Sequence, residues 1–247
     1  MTYKIKNDQI EEYREKGWIK IKNFFSKKEI FKIKNKVKKF INQNSKIYKG
    51  RHINYATNKR NSKINSFHKL ADSPWVKKLS KKKKIKKIAE TFLESKSKFI
   101  QSELFAKPSK VGLASPFHQD NFYWCLKNGP SLTIWTALDK VSSRNGGVCY
   151  FEKSHKAGLQ KHIPSFAKGS SQKIAYLNKL KKYKKIVPNL NSGDIILHDS
   201  LIVHGSKKNL SNKSRMGITF QFKSTKAKID LKMKKHYENK LREQFKD

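Results

Sequence analysis

Residues 116–124 read PFHQDNFYW, a histidine and a carboxylate two positions apart among aromatics, in a chain with 18 Asp and Glu against 58 Lys and Arg. On a β-strand, residues two apart face the same way, so an extended backbone here aims His118 and Asp120 at one point and turns Gln119 away. One imidazole nitrogen and one carboxylate oxygen are two ligands of a metal site, and a third must come from a distant strand. The segment DIILHDSLIVHGS offers His198 and His204. His204 is the better candidate, because Arg215 follows it by eleven residues at the start of the strand-like MGITFQF.

Two histidines and one carboxylate on one face of the ion are the donor set of non-haem Fe(II) oxygenases, which keep the other positions for cosubstrate and O2. If the strands carrying His204 and Arg215 are neighbours, Arg215 stands beyond the metal, where a guanidinium can grip the far carboxylate of a dicarboxylic cosubstrate through two hydrogen bonds. Taken alone, a His-Asp pair in a strand is more often a hydrogen-bonded structural pair than a metal site; its occurrence together with His204 and Arg215 reverses that and points to metal. His198 reads as a packed or hydrogen-bonded strand residue, and His52, His68, His155, His162 and His236 have no partners at ligand spacing. Trp124 shares a strand face with His118, Asp120 and Phe122 if the alternation persists, which makes it the aromatic expected to meet substrate.

The elements that must position these residues are of two kinds. Asn7–Lys16 has helical periodicity with Gly17 placed to end it, and WIKIKNFF follows as an extended stretch. Ser26 and Glu29 form a capping box for a helix to about Phe40, with Ile30, Ile33, Val37 and Ile41 on one face. Residues 45–72 lack periodicity and read as an irregular excursion. Another helix begins at Pro74 and carries Trp75, Leu79, Ile88, Phe92 and Leu93 past KKKKIKK, a solvated face. After Lys98 the texture becomes short alternating runs: FIQSELFAK, FHQDNFYWCL, SLTIWTALD, GVCYF, KKIVPNL, DIILHD, LIVHGS and MGITFQFK. Strands without intervening helices favour a β-sandwich or jelly roll over a parallel α/β sheet. The expected organisation is one domain over 1–247: a mainly helical part at 1–97, a β core at 98–224 with a basic insert at 154–187 of the length of a lid or binding loop, and a polar extension at 225–247.

Composition adds bounds. With 247 residues and 36% hydrophobic content the chain can bury a real core. The net charge of +40 invites a nucleic-acid partner, but Arg14, Arg51, Arg60, Arg144, Arg215 and Arg242 are the only arginines, and lysine is spread along the whole chain. Proteins that read nucleic acid lean on Arg, so no specific nucleic-acid partner is expected. Cys125 and Cys149 make no disulfide framework, and the chain has neither a secretory signal nor an 18-residue apolar run; a cytoplasmic protein without a membrane span is expected.

From about Gln101 to Phe222 the sequence resembles the phytanoyl-CoA dioxygenase family of Fe(II)- and 2-oxoglutarate-dependent oxygenases, through FHQDNFYW, LTIWTALDKVSSRNGGVCYFEKSHKAG and SGDIILHDSLIVHGSKKNLSNKSRMGITFQF. The resemblance implies a mainly β fold with flanking helices around a double-stranded β-helix, a jelly-roll core. It implies that His118, Asp120 and His204 hold Fe(II), and that Arg215 pairs with the distal carboxylate of 2-oxoglutarate with Ser206 as a hydroxyl donor nearby. Trp135 and Lys107 fall where further cosubstrate contacts are often found. The implied reaction hydroxylates an unactivated C–H bond of a small molecule or acyl-type substrate with O2, releasing succinate and CO2. Related halogenases lack the carboxylate that Asp120 supplies, so a hydroxylase is implied. Two departures stand out. The family's usual Pro-Gly before Ser-His is Glu152-Lys153 here, and relatives acting on ectoine carry a basic residue and an amide where this chain has Glu103 and Phe105. Lys156, Lys161, Lys168 and Lys173 in the insert suit an anionic substrate. The competing classes are a catalytically silent jelly-roll binding protein and a lysine-rich nucleic-acid-binding protein; the oligomeric state is left open.

Overall fold

Along Ser131–Ala137, Leu132 and Ile134 face one way and Thr133 and Trp135 the other, and the same division runs through each long strand of the fold. The computed structural model describes residues 5–48, 50–58 and 62–245. Helix α1 (Asn7–Lys16) leads into strand β1 (Trp18–Ile21) and helix α2 (Lys27–Asn44), then β2 (Ile53–Tyr55) and β3 (Ile64–Phe67). Helices α3 (Pro74–Ser80) and α4 (Lys83–Leu93) precede β4 (Ser97–Gln101), β5 (Leu104–Lys107) and β6 (Ser115–His118). Helix α5 (Asp120–Trp124) and β7 (Leu126–Lys127) follow, then β8 (Ser131–Ala137), β9 (Val148–Phe151) and a hairpin of β10 (His162–Ala167) and β11 (Ser170–Ile174). The chain closes with β12 (Lys185–Ile186), β13 (Ile195–Asp199), β14 (His204–Ser206), β15 (Arg215–Ser224), β16 (Lys228–Ile229) and helix α6 (Leu231–Gln244).

Two antiparallel sheets make the jelly roll. The major, 8-stranded sheet runs β1-β13-β8-β15-β5-β3-β2, with β4 pairing the far half of β15; the minor, 4-stranded sheet runs β12-β9-β14-β6. The outer face of the major sheet carries Leu132, Ile134, Ile195, Leu197, Ile218, Phe220 and Phe222, which join Ile30, Ile33 and Val37 of α2 and Ile85, Ile88 and Phe92 of α4 in the main core. Burying each such side chain contributes about 1.5–3 kcal/mol before chain entropy is subtracted. The inner face looks toward the minor sheet and keeps Thr133, Trp135, His198, Thr219 and Gln221 for a cavity. Helices α2 and α4 thus fix the floor of the site from behind the major sheet, without lining the cavity.

Several expectations change in detail. The capping box of α2 forms as expected, with Glu29 N donating to Ser26 Oγ at 3.2 Å and Ser26 N donating to Glu29 Oε2 at 2.9 Å. The single helix expected from Pro74 is two, α3 and α4, broken at Lys81–Lys82. The excursion at 45–72 supplies β2 and β3, which extend the major sheet; Lys49 and residues 59–61 within it lie outside the described residues. The insert 154–187 is structured: it holds the β10–β11 hairpin, short 3₁₀ turns and β12, which completes the minor sheet. At the departure Glu152-Lys153, Lys153 adopts φ +67°, the left-handed geometry that glycine takes without strain. Among the described residues, no helix is long and apolar enough to cross a membrane.

Gly217 on β15 is the inner-face position that Trp135 needs. A Cβ there would lie 2.1 Å from Trp135 Cζ2, inside a rigid indole. Gly217→Ala is expected to destabilise by about 1–3 kcal/mol through overpacking, read as a lower urea midpoint with an unchanged m-value.

Candidate metal centre and cosubstrate pocket

His118 ends β6, and β14 lies antiparallel beside it with His204 directly opposite His118. Gly205 permits this approach, since a Cβ there would meet Phe117 Cδ1 at 2.7 Å and Ser115 O at 2.8 Å. The expectation that His118 and Asp120 share a strand face is corrected: the strand stops at His118, and Asp120 opens the short helix α5. The turn brings the carboxylate back to the histidines. Ligand atoms of His118, Asp120 and His204 lie within 4.8 Å of one another. Asp120 Oδ1 is 3.7 Å from His118 Nε2 and 3.6 Å from His204 Nε2.

The partners of these groups settle which atoms are offered. His118 Nδ1 lies 2.8 Å from Pro116 O, and His204 Nδ1 lies 3.1 Å from Ile202 O. A carbonyl only accepts, so each Nδ1 carries a hydrogen and each Nε2 is the nitrogen turned to the centre. Burial, reinforced by His118, lowers the His204 pKa to about 3, which keeps that lone pair free. On Asp120, Oδ2 accepts from Thr133 Oγ1 at 2.6 Å and faces His198 Nε2 at 3.2 Å. Oδ1 is thereby left as the single outward oxygen. Burial pushes this carboxyl up, but His204, His118 and His198 outweigh it and hold it well below the usual carboxylate range. Two imidazoles with Nε2 turned inward and one anchored carboxylate oxygen suit a divalent first-row metal such as Fe(II).

His198 is the residue whose role the sequence conceals. It sits opposite Thr133 in the β13–β8 pairing, so the two hold the same carboxylate oxygen from neighbouring strands. Tyr150, fully buried and stacked on Trp18 with ring centroids 5.6 Å apart, lies with its hydroxyl 3.1 Å from His198 Nδ1. Gln119 turns away from the centre as expected, but it is more than a spacer: its side chain donates to Gly158 O and Leu201 O and accepts from Gln160 N. Because α5 is helical, Phe122 turns outward to stack on His162, with centroids 4.2 Å apart, while Tyr123 and Trp124 line the cavity.

One cavity of about 1250 Å³ contains all three ligands, with Trp135, Ser206 and Arg215 in its wall. Arg215 is 1% exposed. Its guanidinium donates to Gly146 O and to Phe105 O, and it lies 5.5 Å from the Trp135 ring centre. Its Nε has no partner, and among the described residues no carboxylate pairs with it. Burial lowers its pKa to about 10, so it stays charged. Lys107, directly across from Arg215 in the β15–β5 pairing, donates to Ser206 Oγ and Lys207 O, both at 2.6 Å. Burial first and Arg215 second bring its pKa to about 6. Lys107 thus stands behind Ser206 rather than at the cavity surface. A buried guanidinium without a counter-ion, at the cavity wall beside Ser206, forms a receptor for an anionic group. Of the four insert lysines, only Lys168 lines the cavity, whereas Lys156 pairs with Glu15 on the outside.

His198→Ala is expected to weaken Fe(II) binding about 10–100-fold by freeing Asp120, with the far-UV spectrum retained, measured by anaerobic metal titration. Arg215→Met is expected to weaken 2-oxoglutarate binding by about 2 kcal/mol or more while Fe(II) affinity stays within about twofold, measured by calorimetry on the same preparations.

The chain has similar proteins of known name and structure. The chain is 28% identical over 161 residues to a probable alpha-ketoglutarate-dependent hypophosphite dioxygenase of Stutzerimonas stutzeri, covering 63% of this chain and 55% of that one. It spans about half the length of the curated relatives it matches. Among solved structures, the non-heme alpha ketoglutarate dependent carbocyclase SnoK from nogalamycin biosynthesis superposes with TM-score 0.76 at 20% identity, over 91% of this chain and 86% of that one. EvdO2 from Micromonospora carbonacea, complexed with 2-oxoglutarate, superposes with TM-score 0.73 at 17% identity over 93% and 95%. With the family profile matching residues 13–217, the chain belongs to the phytanoyl-CoA dioxygenase (PhyH) family.

Proposed function

We propose that the protein is an Fe(II)- and 2-oxoglutarate-dependent dioxygenase that hydroxylates an unactivated C–H bond of a small molecule. The observation that carries this reading is the sharing of one cavity by the His118, Asp120 and His204 ligand set and the unpaired cation of Arg215. His118 Nε2, His204 Nε2 and Asp120 Oδ1 would hold iron, and Arg215 with Ser206 would hold the distal carboxylate of 2-oxoglutarate. Iron and 2-oxoglutarate together supply the oxidising chemistry, in which O2 is reduced as the cosubstrate loses CO2 and becomes succinate.

The chain's own residues contribute position and environment. Thr133 and His198 keep Asp120 from swinging to a bidentate pose, and Pro116 O and Ile202 O fix both imidazoles. Trp135 walls the cosubstrate side, and Tyr123 and Trp124 wall the side on which substrate must arrive. The cavity is larger than the roughly 300–1000 Å³ of most small-molecule sites, which leaves room for cosubstrate and substrate together. The competing classes leave more unexplained. A nucleic-acid binder has no use for a buried triad, and a silent binding protein has no use for three convergent metal ligands beside the guanidinium. Both thiols are free and buried, in keeping with the reducing cytoplasm we assign to the protein.

Two outcomes test this reading. Wild type loaded with Fe(II) should release succinate from 2-oxoglutarate in the presence of its substrate, and His118→Ala and Asp120→Ala should lower that rate at least a hundredfold with the fold retained. Hydroxylation, as opposed to the ring closure named for the SnoK relative, should place one ¹⁸O atom from ¹⁸O2 in the product; a product without it would assign a different outcome to the same centre.

A further inference from the structure

The row of inner-face residues that begins at Asp120's anchors continues away from the metal. In the major sheet, His198 pairs with Thr133, Thr133 with Gln221, and Gln221 with Gln101, across β13, β8, β15 and β4. Paired residues in antiparallel strands have Cα atoms about 4.5–5.5 Å apart, so Gln221 is the immediate neighbour of the residue that anchors the metal's carboxylate. Gln221 lines the cavity and is only 3% exposed. Its Nε2 donates to Glu103 Oε2 at 3.0 Å, and since a carboxylate only accepts, this bond fixes the orientation of the amide. Its Oε1 is then buried with no partner.

Glu103 is held in place from behind. Asn54 Nδ2 donates to Ser66 Oγ at 3.1 Å, Ser66 Oγ lies 3.0 Å from His68 Nε2, and His68 Nδ1 lies 2.7 Å from Glu103 Oε1. These contacts join end to end and fix the Glu103 carboxyl at the cavity wall. We propose that Gln221 Oε1, oriented by Glu103, is the substrate-recognition acceptor of this site, and that the substrate is a small polar molecule presenting a hydroxyl or amino hydrogen to it. This rests on the oxygenase reading and narrows it: a substrate of pure hydrocarbon character would leave Oε1 without a hydrogen bond in the complex. A donor held here places neighbouring carbons beside the metal, because Gln221 and the Asp120 anchor Thr133 are adjacent.

The test uses paired probes that differ only in the donor: cyclohexylamine against N,N,N-trimethylcyclohexylammonium, and cyclohexanol against methoxycyclohexane. Binding to the Fe(II)- and 2-oxoglutarate-loaded protein under anaerobic conditions is followed by the fluorescence of Trp124 and Trp135. At least one free-donor probe is expected to bind tenfold or more tightly than its methylated partner, and Gln221→Leu is expected to abolish that preference. The amine and alcohol arms tell which donor is preferred, and the quaternary ammonium separates donor recognition from charge. Retained Fe(II) and 2-oxoglutarate binding in Gln221→Leu shows that the variant is folded. Equal binding within both pairs, absence of binding by both free-donor probes, or an unchanged preference in Gln221→Leu overturns the inference and leaves the oxygenase reading standing. Failure of wild type to bind Fe(II) and 2-oxoglutarate would instead remove the reading beneath it.

Discussion

One carboxylate organises the site. Asp120 is buried among three histidines, and its two oxygens are assigned different tasks by their neighbours: Oδ2 to Thr133 and His198, Oδ1 to the side that His118 and His204 also face. Unpaired, such a charge would be expensive to bury. Its hydrogen bonds come from β8 and β13 in the major sheet, while the facing imidazoles come from β6 and β14 in the minor sheet, so the jelly roll must close before the ligand set exists. The packing of α2 and α4 behind the major sheet holds the register on which the His198–Thr133 pairing depends.

The charge distribution around that carboxylate has a direction. On one side lie Arg215, a buried cation, and Lys107, a buried amine, whose hydrogen bonds go to carbonyls and a hydroxyl rather than to an acid. On the other side lies Glu103, an acid held by His68 and Gln221. The inner face of β15 links the two, running Arg215, Gly217, Thr219, Gln221 with its alternate residues Ile218, Phe220 and Phe222 in the core. A single alternating strand therefore orders the cavity from an anion-binding end to an acceptor end.

The parts of this arrangement that the sequence discloses are those written in local spacing. His118 and Asp120 two apart, and Arg215 eleven after His204, are visible because the chain itself sets those separations. The capping box at Ser26 and Glu29 is visible for the same reason. The helix at Asp120 is hidden, since five residues of DNFYW are too few to show a 3.6-residue period and read equally well as an alternating strand. Strands β2 and β3 are hidden because they are short, and are stabilised by the pairing of β3 with β5 and of β2 with β3 rather than by their own composition. His198 as an anchor of Asp120, and Gln221 as a partner of Glu103, depend on registers between strands tens of residues apart. No single-sequence signal marks such pairs, although the alternation that places Thr133 and Trp135 on one face was enough to nominate the strand.

The central claim is that three side chains and one guanidinium form a paired receptor for Fe(II) and 2-oxoglutarate. Anaerobic calorimetric titration tests it most directly. The account predicts one Fe(II) and one 2-oxoglutarate per chain in wild type, with iron binding lost in Asp120→Ala and 2-oxoglutarate binding lost in Arg215→Met. Wild-type protein that binds neither, or an Asp120→Ala variant that binds iron as wild type does, would contradict it.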